Sequence, residues 1–158
     1  MYRECEPHVV AKDVTPNVTI EMVNGDIARF VFPVYNEVDG TLYAESLTDK
    51  GYTFKCFISD DPTGAVFATA TIDDGTDKNK DGVDVRNGIR LHIASHVESA
   101  DLDKYEWPLK IGFNIVATDD PDGSFAKGKN IDSFVHGVII IKRAPFHAIE
   151  NERVADYE

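Results

Sequence analysis

The stretch YEWPLKIGFNIV, Tyr105 to Val116, decides the fold. Tyr105, Trp107, Leu109, Ile111, Phe113 and Ile115 fall at every second position, and Glu106, Pro108, Lys110, Gly112 and Asn114 fall between them. Successive side chains of an extended chain point to opposite faces, so a period of two with one apolar set predicts a half-buried β-strand. This one is long. Pro108 has no N–H to give to a neighbouring strand, which predicts an edge or a bulge at that point.

The same period recurs on both sides. Phe30, Phe32 and Val34 alternate with Arg29, Val31 and Pro33. Tyr52, Phe54, Cys56 and Ile58 form a second set, Val66, Ala68, Ala70 and Ile72 a third, and Ile89, Leu91 and Ile93 a fourth. A short first strand is expected around Val18–Met22. The run SFVHGVIIIK is nearly all apolar, which predicts a strand covered on both faces. Turn residues separate these runs. DDPTG (Asp60–Gly64) and DDPDG (Asp119–Gly123) carry Asp, Pro and Gly at the positions of a type I turn. Asn24-Gly25 reads as the turn of a β-hairpin. VESADLDK (Val97–Lys104) is long enough for one helical turn. Seven strands joined by turns predict an all-β domain, a β-sandwich.

Composition narrows the function classes. The 158 residues are enough for one domain with its own core, and 42% of them are hydrophobic. The formal net charge is −12. Nucleic-acid backbones and anionic membrane surfaces select clustered Lys and Arg, so neither is an expected partner. No run reaches the ~18 apolar residues of a membrane span. The N-terminal MYRECEPHVVAKDV lacks the apolar core of a signal peptide, so a cytoplasmic origin is expected. Cys5 and Cys56 form no CxxC pair, and a reducing compartment disfavours a disulfide between them.

The segment DDGTDKNKDGVD (Asp73–Asp84) raises one metal question. Asp77, Asn79, Asp81 and Gly82 match D-x-N-x-D-G, the first half of a calcium loop, in which oxygens at positions 1, 3 and 5 converge on one cation. Position 12 should be a bidentate Glu and is Gly88, and the flanks read as strands. Asp77, Asn79 and Asp81 are therefore candidate calcium ligands, calcium is the one cofactor suggested, and the competing reading is a solvated acidic surface loop. His92 and His96 share no helical face and make no zinc motif. Ser95-His96 is a sequence neighbour pair rather than a dyad. Asp60-Asp61 and Asp119-Asp120 read as turn caps, and no phosphate loop or nucleophile elbow occurs. No enzyme is expected. Trp107 and Tyr105 read as core, whereas Tyr35, Tyr43 and Phe67 are expected nearer the surface.

Two resemblances sharpen this. DLDKYEW resembles the corner before strand F of immunoglobulin-type sandwiches, with Tyr105 as the corner Tyr and Trp107 in the core position, where no Cys stands. The order of GDIARFVFPVYN, GYTFKCFISDDPTGAVFATATI, NGIRLHI, LDKYEWPLKI and HGVIIIKRAP is similar to the immunoglobulin-like N-terminal domain of tailed-phage upper baseplate proteins and related virion domains. That resemblance implies an immunoglobulin-like antiparallel β-sandwich of about seven strands that assembles without catalysis. Members usually continue into a long coiled-coil stalk, whereas 13 residues follow Pro145 here, which implies a stand-alone baseplate, tail-adaptor, head-fibre or decoration subunit. The expected organisation is an N-terminal arm over 1–16, the sandwich over 17–145 and a tail over 146–158. The expected partners are other virion proteins and further copies of the chain, in the virion after synthesis in the host cytoplasm. The alternative is an accessory module that binds carbohydrate or calcium.

Overall fold

A computed structural model describes residues 9–10, 16–126 and 131–143. Within them the strands are β1 Val9–Val10, β2 Asn17–Val23, β3 Ile27–Val38, β4 Thr41–Ala44, β5 Thr53–Ser59, β6 Val66–Ile72, β7 Thr76–Lys78, β8 Asp84–Arg86, β9 Gly88–Ser95, β10 Leu109–Thr118 and β11 Ile131–Lys142. A 3₁₀ helix over Ser99–Lys104 occupies the expected helical turn. One sheet runs β1-β3-β9-β6, with β4 paired to the far half of β3, and the other runs β2-β11-β10-β5. Strands β7 and β8 form a separate two-stranded ribbon.

The seven long strands therefore divide into β3-β9-β6 and β2-β11-β10-β5. Taken in chain order, the second, fifth and fourth form one layer and the first, seventh, sixth and third form the other. This is an immunoglobulin-like sandwich whose first strand lies on the sheet of the last. The pairings are antiparallel except β2 with β11 and β1 with β3. Ile20, Ile111, Ile115, Ile139 and Ile141 of one layer and Phe32, Val34, Ile89, Leu91 and Ile93 of the other are all at most 2% exposed. Each such side chain contributes roughly 1.5–3 kcal/mol by leaving water, and the two inner faces are the principal source of stability.

Several expectations change. The strand of the opening stretch starts at Leu109, not Tyr105. Pro108 precedes it, and β10 is a central strand with neighbours on both sides. Trp107 and Tyr105 still pack against the core, but from the corner. The polar tie of that corner is the Trp107 indole N–H, which donates to the Leu102 carbonyl at 2.8 Å. Strand β11 is buried on one face only along this run: Ile139 and Ile141 are enclosed and Val138, on the other face, is 37% exposed. Its neighbours Phe134 and Val135 are both buried because the β10–β11 register shifts there: Ile115 faces Val135 while Val116 faces Ser133. That extra residue is a β-bulge.

Asn24-Gly25 makes a turn, with the Asp26 N–H on the Val23 carbonyl at 3.0 Å, but not a hairpin. Strands β2 and β3 belong to different sheets, so the turn is an arch between layers. The Asn24 side chain anchors it. Its Oδ1 accepts from the Val97 N–H at 2.7 Å and the Ser95 hydroxyl at 3.1 Å, and its Nδ2 donates to the Val97 carbonyl at 3.0 Å. The Asn24 N–H donates to the Lys142 carbonyl on the other sheet at 2.9 Å. DDPTG also links the two layers. No backbone bond closes it among the described residues; the Asp61 carboxylate instead accepts from the Thr63 N–H at 3.0 Å and the Val66 N–H at 3.2 Å. DDPDG behaves as expected, with the Gly123 N–H on the Asp120 carbonyl at 2.8 Å.

Val9 of the expected N-terminal arm is buried and pairs beside Val34, so this part of the arm packs on its own domain. The remaining arm residues other than Val10 and Pro16, the tail 146–158, and Cys5, His8 and His147 lie outside the described residues.

Gly137 sits where β11 meets Val18 of β2, and a Cβ there would overlap the Val18 backbone. The Gly137→Ala variant should lose about 3 kcal/mol in urea unfolding, the upper range for overpacking, while Lys110→Ala on the exposed face should change stability by less than about 0.5 kcal/mol. Cys56 is buried, and desolvation pushes its thiol up to about 12 against the opposing effect of a backbone N–H. It should be inert to thiol reagents at pH 8 in the native protein and react on unfolding; fast native labelling of Cys56 would contradict the packing.

Candidate functional site

The excursion Asp73–Asn87 is not an open loop. Strands β7 and β8 pair as an antiparallel ribbon, Thr76 with Arg86, Asp77 with Val85 and Lys78 with Asp84. The three candidate calcium ligands lie in this ribbon. Asn79 begins the turn, and its Oδ1 accepts from the Asp81 and Val83 N–H groups, both at 2.9 Å. Its own N–H donates to the Val83 carbonyl, and the Gly82 N–H donates back to the Asn79 carbonyl. Gly82 adopts φ 74°, a conformation that favours glycine. Asp77 Oδ1 accepts from the Lys78 N–H at 2.8 Å, and its carboxylate takes the Tyr35 hydroxyl. Asp81 is exposed at the tip. The oxygens of Asp77 and Asn79 thus serve the ribbon, and among the described residues no three of His, Cys, Asp or Glu gather to hold a metal ion. Asn, Asp and Gly in this spacing build a tight turn for the same reason that they build a cation loop: their side chains bind nearby backbone.

The ribbon roofs a shallow cleft of roughly 350 Å³ against the β3–β4 hairpin. Asn36, Tyr43, Glu45, Ser46, Lys50 and Lys80 line it. Glu45 is 6% exposed and its carboxylate meets the Lys50 ammonium at 3.2 Å. Tyr35, beside Asp77, has its phenol pKa raised by burial first, then by the hydrogen bond and negative charge of Asp77. The β3–β4 hairpin turns through Asp39-Gly40, both with positive φ. Sequence reading passed over this Asp-Gly pair, although Asp-Gly between apolar runs is a standard hairpin signal.

At the base of the ribbon, Asp73 Oδ1 accepts from Arg90 Nε at 2.9 Å and Nη2 at 2.6 Å, and Asp73 Oδ2 accepts from the Gly75 N–H at 3.0 Å. Partial burial alone would raise the Asp73 pKa; the Gly75 N–H, the Arg90 guanidinium and the Asp74 N–H outweigh it and hold the carboxyl below its ordinary value. The other chemistry-bearing residues stay apart. His92 lies on the outer face of β9, and His96 lies beyond its end, 3.3 Å from Glu98. Ser95 is 1% exposed, with its hydroxyl given to Asn24. Asp61 and Asp120 organise their own turns.

The outer face of the β3-β9-β6 sheet is different in character. Ile27, Ala94 and Phe67 lie side by side across its three strands. Ile27 is 41% and Phe67 65% exposed. Arg29, His92 and Thr69 form the next row, and Val31, Arg90 and Thr71 the one after. None of these nine residues is acidic, in a chain of net charge −12. As expected, Phe67 is at the surface, while Tyr35 and Tyr43 are only half-buried.

No protein-family model and no curated protein matches the chain. Among solved structures, a chain from the complex of PbICP-C with falcipain-2 superposes with a TM-score of 0.40 and 12% identity, over 90% of this chain and 98% of that one. A likeness of that size carries no inference about function.

Three variants test the site. The double variant Asp77→Asn/Asp81→Asn should change unfolding free energy by less than about 0.5 kcal/mol, and Asn79→Ala should cost about 1 kcal/mol through its two lost hydrogen bonds. A melting temperature that rises with calcium and collapses in the double variant would instead assign a cation. Because the folded pKa of Asp73 is depressed, its contribution is full above the unfolded value of about 3.9 and fades as pH falls through the folded value. Acid titration of Asp73→Asn should therefore show a shallower loss of stability below about pH 4 than the parent.

Proposed function

We propose that the chain is a non-enzymatic assembly protein, a structural component of a tailed-phage virion that works through protein–protein contacts. The observation that carries the assembly reading is the Ile27–Ala94–Phe67 row. An aromatic ring 65% exposed beside an exposed Ile, two rows away from the Asp73–Arg90 ion pair, is the composition of a contact patch. The −12 charge serves the same role by keeping the remaining surface soluble and copies apart except where acids are missing. The virion part of the proposal rests on the order of strand and turn segments described above. A second reading, a carbohydrate-binding module, has one observation in its favour: the cleft that sets Tyr43 beside Asn36, Ser46 and Lys50. A glycan array without a hit removes it.

The test is particle association. An antibody to the chain should detect it at a constant copy number in density-purified particles of the source phage, and its absence from particles would refute the virion assignment. Phe67→Asp should weaken retention on particles by about tenfold, the ~1.4 kcal/mol of a modest aromatic anchor, with an unchanged melting temperature.

A further inference from the structure

We infer that the free edge of β6 is a homodimer site, where a second copy of the chain adds its own β6 antiparallel to form one continuous sheet. The inference rests on the assembly reading and names its partner.

Two hydrogen bonds fix the direction of the backbone groups of β6. The Ala65 carbonyl accepts from the His96 N–H at 3.1 Å, and the Asp73 N–H donates to the Gly88 carbonyl at 2.7 Å. Antiparallel pairs alternate between bonded and non-bonded. Residues 67, 69 and 71 therefore direct their N–H and C=O groups at β9, and Val66, Ala68, Ala70 and Ile72 direct theirs away from the sheet. The Val66 N–H is capped by Asp61 at 3.2 Å. Among the described residues, no hydrogen bond takes the N–H of Ala68, Ala70 or Ile72.

Such an edge is a template for another strand, and proteins ordinarily blunt it with charge, Pro or brevity. The other edges follow that rule. Strand β5 carries Lys55, β2 carries Glu21, β4 has 4 residues and β1 has 2. Strand β6 reads VFATATI, with no charge, no Pro and no Gly.

The strand is also complementary to itself. Centring a two-fold axis on Thr69 pairs Ala68 with the second copy's Ala70, and Val66 with its Ile72. All four belong to the set whose backbone groups face outward, so the hydrogen-bond parity closes; at Val66, whose N–H Asp61 holds, the carbonyl accepts from the second copy's Ile72. On the outer face Phe67 lies over Thr71 and Thr69 over Thr69, an aromatic–β-branched pair and a Thr–Thr pair, both favourable across strands. No carboxylate is brought opposite another within β6, and the rows behind it on β9 and β3 carry Arg29, His92 and Arg90 rather than acids. Within β6 itself the two copies of net charge −12 meet without a charged side chain. One strand from each copy is a small junction beside a standard interface of ~1,600 Å², so the dimer should be concentration-dependent.

Sedimentation of the full chain across a concentration series should show a monomer–dimer equilibrium. Ala70→Pro removes one outward N–H while sparing the ladder to β9, and Thr69→Lys opposes two charges at the axis. Each should shift the chain to monomer with the far-ultraviolet circular dichroism of the parent; Thr69→Lys keeps the test valid should the Pro variant fail to fold. The register has its own readout. In a Cys5→Ser background, Thr69→Cys should form a disulfide dimer on mild oxidation, because non-bonded antiparallel partners lie ~4.5 Å apart at Cα, within disulfide range. Thr71→Cys faces Phe67 and should not. A parent that is monomeric at its solubility limit, a dimer indifferent to Thr69→Lys, or equal crosslinking at 69 and 71 would each overturn the inference. A monomer that still binds particles refutes this dimer and leaves the assembly reading standing; a dimer absent from particles does the reverse.

Discussion

Asn24 holds the two layers in place. Apolar burial drives the sheets together but has no direction, and by itself it leaves their offset free. The Asn24 amide supplies direction, because it accepts and donates at the same time. Its oxygen takes the Val97 N–H and the Ser95 hydroxyl, its nitrogen binds the Val97 carbonyl, and its backbone N–H reaches Lys142 on the opposite sheet. The residue lies in the link that carries the chain from one layer to the other. Ser95 and Val97 are buried, so these groups would otherwise stand unpaired away from water. Phe32, Leu91, Ile111 and Ile139 are buried in the core between the layers that it joins.

The acidic residues have a structural use that the net charge conceals. Asp61, Asp73 and Asp120 each capture backbone N–H groups in their turns, and Asn79 does the same in the ribbon. Carboxylates are thereby concentrated at connections. The rows Ile27–Ala94–Phe67, Arg29–His92–Thr69 and Val31–Arg90–Thr71 of β3, β9 and β6 carry none of them.

The alternation of apolar residues made most of the long strands legible, because the pleat imposes a period of two on any strand with one buried face, whereas β11 was legible from its apolar run. The ends of strands were less legible. Tyr105 and Trp107 continue the period of Leu109 and Ile111, yet they serve the corner, since an apolar side chain can reach the core from a loop as well as from a strand. The candidate site shows the same limit. D-x-N-x-D-G describes residues that fold their side chains onto nearby backbone, and the outcome, a cation loop or a hairpin turn, depends on whether the oxygens converge or are consumed one by one. Around Asn79 they are consumed by the Asp81 and Val83 N–H groups.

Sequence alone determined the seven long strands, the DDPDG turn and the sign of the charge, because each is a local property of side-chain period and backbone preference. Tertiary structure decided which strands pair. Asn24-Gly25 and Asp39-Gly40 are both tight turns, but the first crosses between layers and the second folds a hairpin. The difference lies in what waits beyond the turn: Ser95, Val97 and Lys142 for one, and the free half of β3 for the other. Those partners are distant in the chain, and only the packed molecule brings them within hydrogen-bond range.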